Sequence, residues 1–391
     1  GDASLQSDTQ SAVLSSGDLA LSDLLAEGSV QLRDPEQDLV LTGHRLDVDP
    51  DTDTAELFGN DDAPAVARRD DGFITGPRIV LHQRTETVRV PGGGSFEALL
   101  DPEARDQTLN IDWARSMSFD RRSGLAEFHG EVHALAIGRR EVTKLTSDSL
   151  AAQLDIGPAS TSTKDQPSSN ELGEPIDATA SRRGDETDAK PVPDAPSITK
   201  VKRVTARGDA LLKARVFATD PLGRPRTRLR MEGPVINFDN FPEQNREQVQ
   251  VLGEGSMQIE DYRTAKDPPA EGQERESRLA GVTGRGATLL LWKDQLTLDA
   301  IANDLNAEGG ITLLHRPASP APGQADDEAM LQLDAQRLVA DLAETGGLGV
   351  WLGDSPPAPE LESLDAHRSV RVVRGDKTIL ADHMRFTRAS D

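Results

Sequence analysis

Short apolar runs separated by polar turns recur along the chain, and one such pattern is repeated almost at once. Residues 41–59 contain a Thr-Gly pair, a short apolar run, a polar cluster and a second run that closes on glycine. The same order of residues returns at 74–92. Runs this short and this rich in β-branched residues predict strands. We therefore interpret the unit as a hairpin and its recurrence as an internal repeat.

Two further similarities between segments extend the internal repeat. A third copy of the hairpin begins at Met231, closes at Gly253 and repeats the Gly-Pro pair found at Gly76. A segment that begins at Trp113 has its counterpart at Trp292, with apolar, aspartate and glycine positions matched at one constant offset. A shared offset across an intervening linker indicates that both halves of the chain follow one template. The glycine of the hairpin motif suits a bulge at which the inward face of a strand switches.

Polar segments divide the chain, because stretches dense in Ser, Pro, Asp and Glu cannot bury enough apolar surface to offset the entropy of ordering. We predict a disordered lead-in at 1–18, a first β-repeat module at 19–156, a disordered acidic linker or loop at 157–197, and a second β-repeat module at 198–391 with polar insertions at 264–276 and 317–328.

Two stretches have a less regular pattern. The apolar spacing within 328–346 fits a helix or a strand, and we favour a strand by analogy with 145–150. One helical turn is an option at 97–100. The sequence ends with two apolar runs around Gly375, which predict one more hairpin.

Composition sharpens this picture. The chain of 391 residues is 36% hydrophobic, only 3% aromatic and free of cysteine, and its formal net charge is −24. Few aromatics in a strand-rich chain predict thin layers lined by Val, Leu and Ile. The negative charge repels phosphate backbones and argues against nucleic-acid binding. No apolar run approaches the roughly 18 residues of a membrane span, and because the sequence begins with Gly1 we expect any signal or anchor to lie outside it.

Candidate chemical motifs are weak. His129 and His133 have the spacing of zinc ligands on a helix, but a strand with Gly130 between them favours two solvated histidines. Alternating aspartates from Asp47 to Asp53 resemble the opening of a calcium loop without its glycine and glutamate, so an acidic turn is favoured and weak calcium binding stays open. No grouping of Ser, His and Asp emerges. We expect no enzyme activity, no resident metal and no cofactor.

The recurring motifs resemble those of the OstA-like, or LptA-like, family of periplasmic bridge proteins in lipopolysaccharide transport. The resemblance covers roughly 20–155 and 200–390. It rests first on the order of Thr-Gly, Leu-Asp-Val-Asp and Glu-Leu-Phe-Gly within 41–59 and on the copy of this segment. It rests also on the Phe-x-Gly-x-Val strand at 128–132 and on the Leu-Thr-Ser-Asp-Ser-Leu run at 145–150.

This resemblance implies an all-β fold of repeated antiparallel hairpins, a folded-over sheet (β-taco or β-jellyroll) with lipid acyl chains in an internal apolar groove. The implied function is a lipid-binding bridge in the periplasm or cell envelope that carries lipopolysaccharide or a related lipid toward the outer membrane. The alternative is a structural or interaction scaffold of β-repeats without lipid cargo. The predicted lipid-binding residues are Val30, Leu32, Leu46, Val48, Ile79, Leu81, Val88, Val90, Val132, Val235, Phe238, Val249, Val251, Ile311 and Leu313.

The expected partners follow from the edges of such a sheet. A folded-over sheet leaves its first and last strands unpaired, and we place these at 19–32 and 379–386. Edge pairing with related β-folded envelope proteins, or with a second copy in a head-to-tail homo-oligomer, would extend the groove from one subunit to the next.

Overall fold

The computed structural model describes residues 2–6, 11–15, 24–34, 39–69, 72–99, 107–138, 141–156, 198–217, 225–241, 246–261, 286–299, 301–318, 330–342 and 361–387. The predicted linker at 157–197 and the predicted insertion at 264–276 lie outside these residues, as does all of the insertion at 317–328 except its first two residues.

The described residues form 24 strands joined into one antiparallel sheet, which confirms the all-β, folded-over fold. The first half of the chain contributes β1 (Asp2–Gln6), β2 (Ser11–Ser15), β3 (Leu24–Asp34), β4 (Leu39–Asp49), β5 (Thr54–Phe58), β6 (Ala65–Arg69), β7 (Gly72–Gly76), β8 (Arg78–His82), β9 (Thr87–Pro91), β10 (Gly94–Leu99), β11 (Thr108–Trp113), β12 (Ser116–Asp120), β13 (Leu125–Ile137) and β14 (Glu141–Ile156).

The second half of the chain continues the same ladder. It contributes β15 (Ile198–Phe217), β16 (Pro225–Phe241), β17 (Arg246–Leu252), β18 (Gly255–Asp261), β19 (Gly286–Trp292), β20 (Gln295–Asp299), β21 (Asp304–Pro317), β22 (Leu331–Leu342), β23 (Leu361–Arg374) and β24 (Lys377–Thr387). In the part of the chain that the structure describes, no helix is long and apolar enough to cross a membrane.

A line of bulges folds the sheet. Along β13, the segment before Gly130 pairs with β12 and the segment after it pairs with β11. The register of β13 against β14 shifts at the same point, between His129 and Val132. Matching shifts occur in the β3–β4, β14–β15, β15–β16, β21–β22, β22–β23 and β23–β24 pairs. We call this line the crease, the side that contains β11 half-sheet 1, and the side that contains β12 half-sheet 2.

Glycines sit where the crease requires them. Gly130 has φ +81°, a left-handed conformation that favours residues without a Cβ. At Gly76 and Gly233 the reason for glycine is steric, because a side chain of another strand lies close to the backbone. A Cβ at Gly76 would lie 2.3 Å from a Val90 methyl, and one at Gly233 would lie 2.4 Å from a Val251 methyl. The glycine of the repeated hairpin motif therefore makes room for an inward side chain of a later strand, which is β9 for Gly76 and β17 for Gly233.

Three local predictions of secondary structure can be compared with the observed strands. The ambiguous 328–346 stretch contains strand β22, as favoured. The helical turn near 97–100 is wrong, because β10 pairs with β7 on one side and with β11 on the other, and this pairing overrides the local preference. Within the predicted lead-in at 1–18, the structure places β1 and β2, which pair with each other, and β1 also pairs with β3. Residues 31–33 of β3 are therefore paired on both sides, and the free edge predicted at 19–32 is wrong at that end.

Candidate functional site

The inner face of half-sheet 1 carries a continuous row of apolar side chains. Each member lies directly opposite the next one in the register of neighbouring strands, from β3 to β23. We call this the first apolar row: Leu32, Leu41, Ala67, Ile74, Phe96, Ile111, Ala134, Leu145, Leu212, Met231, Met257, Leu290, Leu313, Leu333 and Val372.

Half-sheet 2 carries a matching row that runs from β3 to β24. We call it the second apolar row: Leu24, Val48, Ala55, Leu81, Val88, Phe119, Ala126, Ala152, Val204, Phe238, Val249, Leu298, Leu305, Ala340, Leu364 and Phe386. No polar residue interrupts either row. Because adjacent strands lie about 4.8 Å apart, each row extends for about 70 Å.

A third row lies in half-sheet 2 between the second apolar row and the crease. It comprises Ala26, Leu46, Leu57, Ile79, Val90, Met117, Phe128, Leu150, Ala206, Ile236, Val251, Leu296, Ala307, Leu338, Ala366 and Met384. All three rows, apart from Ala55, belong to one contiguous hydrophobic cluster. We call the region that these three rows occupy between the half-sheets the apolar interior.

The structure places the predicted lining residues in this interior, with one exception. Leu32 and Leu313 stand in the first apolar row. The others are Val48, Leu81, Val88, Phe238 and Val249 in the second row, Leu46, Ile79, Val90 and Val251 in the row beside the crease, and Val30, Val132 and Ile311 buried next to the crease in half-sheet 1. This placement shows which residues share the interior; their binding of lipid stays a prediction.

Val235 does not belong with the others. It lies opposite Arg207 on one side and Leu252 on the other, and Leu252 is 37% exposed. Its neighbour Ile236 is the residue that enters the cluster. Because successive residues of a strand point to opposite faces, Val235 lies on the outer face of half-sheet 2.

The largest interior side chains were missed by the sequence analysis, which chose mainly aliphatic residues. The signal was present, because these residues also stand at alternating positions in their strands. They are Phe96, Trp113, Met117, Phe119, Phe128, Met231, Met257, Trp292, Met384 and Phe386.

Two tryptophans hold the crease. The indole Nε1–H of Trp113 donates to the Gly92 carbonyl oxygen, and that of Trp292 donates to the Gly253 carbonyl oxygen, each at 3.0 Å. The Trp113 ring also contacts Phe128 of half-sheet 2, with 5.4 Å between ring centroids and planes tilted by 52°. Trp113 therefore ties one half-sheet to the other at the apex of the fold.

One polar side chain enters the apolar interior from β21. His315 is 1% exposed, and its Nδ1 lies 2.9 Å from the Thr288 hydroxyl of β19. Its Nε2 has no hydrogen-bond partner among the described residues. Burial lowers the pKa of His315 below its ordinary value of 6.5, so the ring is held neutral. A neutral imidazole whose Nε2 has no partner can form one hydrogen bond with a polar group that enters the apolar interior beside β21.

The outer face is polar, in contrast to the interior. Arg203 and Asp239 pair across β15 and β16, with 2.5 Å between Nε and Oδ1, and Arg78 pairs with Glu56. Both side chains of the Arg78–Glu56 pair are partly exposed, at 40% and 27%, so that pair adds little stability. In the other pair Arg203 is 49% exposed but Asp239 is only 6% exposed. The distribution separates an apolar inside from a charged outside.

The acidic turn predicted from 47–53 has the geometry of an Asx turn. Asp49 Oδ1 accepts hydrogen bonds from the backbone N–H groups of Asp51 and Thr52, and its Oδ2 accepts one from the Thr52 hydroxyl. The hydroxyl bond is the main cause of a lowered pKa of Asp49. This carboxylate is engaged within its own turn.

The histidine pair predicted to be solvated lies on both sides of the crease. His129 pairs with Ser116 and Ser149 in half-sheet 2, and His133 pairs with Asp112 in half-sheet 1. Both histidines are exposed. The bulge at Gly130 separates them.

No protein-family model matches the chain, and no curated protein matches it. Among solved structures, the chain is similar over part of its length to LptH from Pseudomonas aeruginosa, described as the LptA-homologous periplasmic component of the conserved lipopolysaccharide transport device. The two are 11% identical, and the match covers 30% of this chain and 80% of that chain, with a TM-score of 0.26.

Proposed function

We propose that this protein is a lipid-binding bridge of the periplasm, which accommodates acyl chains of lipopolysaccharide or a related lipid between its half-sheets and carries them toward the outer membrane. The observation that supports this function best is the pair of uninterrupted apolar rows, which face the same interior from both half-sheets. Rows that continue for about 70 Å offer one chemical environment along the whole path.

The chemistry of the rows suits acyl chains. Their members are mostly Leu, Val, Ile, Ala, Met and Phe, which offer no hydrogen bonds and no charge. Each acyl CH₂ buried between such side chains contributes about 0.8 kcal/mol. A bound chain would therefore gain affinity with every additional carbon, without requiring any specific polar contact.

The test uses two interior substitutions and one outer control. Val48→Glu and Leu81→Glu each introduce a carboxylate into the second apolar row, and Val235→Glu introduces the same group on the outer face. Native mass spectrometry of the purified proteins would identify and quantify lipid that copurifies. We expect lipid on the wild type and on Val235→Glu, and a loss of at least about tenfold on the two interior variants, because burying an unpaired charge is costly.

Circular dichroism of each variant separates lost binding from lost folding. If an interior glutamate abolishes strand signal, Val48→Ser and Leu81→Ser replace it as milder polar changes. Equal lipid on all folded variants, or no lipid on the wild type even after incubation with lipopolysaccharide or phospholipid, would reject the bridge. The scaffold without cargo would then be the better account.

Edge pairing is the proposed mode of assembly. Among the described strands, β24 pairs with β23 alone, so its other edge offers free N–H and C=O groups. Ile379 and Leu380 of this strand are 58% and 73% exposed. An incoming antiparallel or parallel strand, from a related β-folded envelope protein or from a second copy, would extend both apolar rows into the partner.

Sedimentation velocity over a range of protein concentrations tests self-pairing. The net charge of −24 opposes association, and 0.5 M salt shortens the screening length to roughly 4 Å. We expect oligomers that grow with concentration and with added salt. A strictly monomeric profile at high concentration and 0.5 M salt would rule out self-pairing and leave a partner protein as the occupant.

A further inference from the structure

The terminal hairpin of β23 and β24 carries three metal-ligating side chains on its outer face. Asp365 and His367 are two residues apart in β23, and His383 of β24 lies directly opposite His367. One ligand atom from each of the three lies within 4.8 Å of the other two. Ala366 and Met384 alternate with them and pack into the hydrophobic cluster, so the three ligands face away from the apolar interior.

The bulge in this hairpin is what brings the two histidines together. Near the turn, Val370 pairs with Ala381. If this register continued unchanged, His367 would lie opposite Met384, whose side chain points inward. The register instead shifts by one residue between His367 and Val370, which places His383 opposite His367. A shift of one residue moves a side chain to the other face of a sheet, so the bulge creates the cluster.

The three side chains contact one another on the outer face of the hairpin. The imidazole rings of His367 and His383 are stacked, with centroids 4.5 Å apart and planes 10° from parallel. His383 Nε2 lies 3.1 Å from Asp365 Oδ1. The other carboxylate oxygen, Oδ2, lies 3.6 Å from Arg385 Nε. Arg385 thus orients the carboxylate and leaves Oδ1 directed toward the imidazoles, as outer partners of metal ligands do.

A second arginine near the cluster, Arg337, contacts residues of a different strand. Arg337 of β22 lies opposite His367 in register. Its Nε lies 3.2 Å from Asn306 Oδ1 and 3.6 Å from Glu308 Oε1, both in β21. Arg337 therefore pairs with side chains of the neighbouring strand β21.

We propose that Asp365, His367 and His383 bind a divalent transition-metal ion, for which Zn²⁺ is the test ion. Two imidazoles and one carboxylate form a recurring ligand set for zinc, with a water molecule in the fourth position. Tetrahedral zinc with bonds of about 2.0–2.1 Å separates its ligand atoms by roughly 3.3 Å, close to the 3.1 Å between His383 Nε2 and Asp365 Oδ1. The bound ion clips β24, the last described strand of the sheet, to β23.

Isothermal titration of the chelator-treated full chain with ZnCl₂ tests the site. We expect one equivalent to bind to the wild type. His367→Asn and His383→Asn should each weaken binding at least about tenfold, the lower range of what loss of even an outer partner costs. The matched control is the double variant His129→Asn, His133→Asn, which removes the other exposed histidines of a bulged strand and should leave binding unchanged. Mg²⁺ and Ca²⁺ should not compete, because they prefer oxygen ligands.

Hydrogen exchange supplies a second readout that does not depend on affinity. Zinc should slow amide exchange in β23 and β24 of the wild type and of the control, and should have no such effect in His383→Asn. Should either histidine variant lose strand signal in circular dichroism, Asp365→Asn takes its place as a near-isosteric change. The proposal fails if the wild type binds no zinc, if the ligand variants bind as tightly as the wild type, or if the control loses the site.

Discussion

Two stretches of the crease share the same tryptophan hydrogen bond but have very different loops. In the first, from Gly76 to Trp113, the tryptophan lies 21 residues after Gly92, whose carbonyl it binds. In the second, from Gly233 to Trp292, the corresponding separation from Gly253 is 39 residues. We call these the first and second crease modules. The N–H···O distance is 3.0 Å in both. Loop length therefore changes freely while the contacts that fold the sheet stay fixed.

Gly94 and Gly255, which lie against the two tryptophan rings, are constrained in the same way in both crease modules. A Cβ at Gly94 would lie 2.2 Å from the Thr75 carbonyl oxygen and 2.7 Å from the Trp113 ring. In the second crease module, a Cβ at Gly255 would lie 2.5 Å from both the Glu232 carbonyl oxygen and the Trp292 ring. The crease tolerates no added atom at either site. Long insertions in connecting loops, in contrast, cost only a logarithmic entropy of closure.

Substituting Gly94 or Gly255 should have the largest effect on stability. Gly94→Ala and Gly255→Ala should each lower the free energy of unfolding by about 3 kcal/mol, because backbone and a buried ring must move. Gly138→Ala is the matched control, since its new Cβ would find its nearest neighbour at 3.8 Å. Urea unfolding checks all three. Equal stability of Gly94→Ala and Gly138→Ala would contradict the role given to the crease.

Removing the indole hydrogen bond should have a smaller effect in both crease modules. Trp113→Phe and Trp292→Phe each lose one hydrogen bond to a backbone carbonyl and part of a buried ring, about 2 kcal/mol in total. Their midpoints in urea should shift by similar amounts. A large loss for one and none for the other would show that the two crease modules are equivalent in geometry but not in energy.

The buried imidazole should make stability depend on pH. The folded protein disfavours protonation of His315 more than the unfolded chain does, so the unfolded chain takes up the extra proton as pH falls. The free energy of unfolding should therefore decline as pH falls below about 6.5. His315→Leu should reduce this decline. Urea midpoints at pH 8 and pH 5.5 measure it, and a pH dependence identical in wild type and variant would refute the assignment.

Shortening the insertion in the second crease module should have the smallest effect. Deleting 264–276 brings the spacing of Gly253 and Trp292 closer to that of the first crease module. Because the first crease module makes the same hydrogen bond with fewer residues, the melting temperature should change by only a few degrees. A collapse in stability would show that the insertion packs against the sheet.

Much of this fold follows from local sequence patterns. Alternating apolar residues predict which face of each strand is buried, and the recurring glycines predict where the strand must bend. The repeat of 41–59 at 74–92 therefore reveals the hairpin unit without any structure. The agreement has a physical basis, because strand alternation and the steric demand of a bulge act over only a few residues.

Local patterns do not predict which face of the sheet a residue occupies once a bulge has shifted the alternation. Val235 and Phe238 are three residues apart on an uninterrupted stretch of β16, so alternation alone places them on opposite faces and both cannot be interior residues. Which of the two faces inward depends on the register shift just after Gly233. The pairing of His367 with His383 depends on a one-residue shift in the last hairpin. Alternation within either strand does not reveal that shift, since it is set by the fit of two strands to each other.

Photochemical labelling tests the central claim, that acyl chains occupy the apolar interior. The full chain is incubated with a long-chain fatty acid that carries a diazirine, irradiated and mapped by peptide mass spectrometry. Adducts should fall on inward positions such as Leu81, Phe238 and Val249, and should disappear when unlabelled lipid competes. Adducts confined to outward positions such as Val235 and Leu252, or labelling that unlabelled lipid does not reduce, would contradict an interior lipid path.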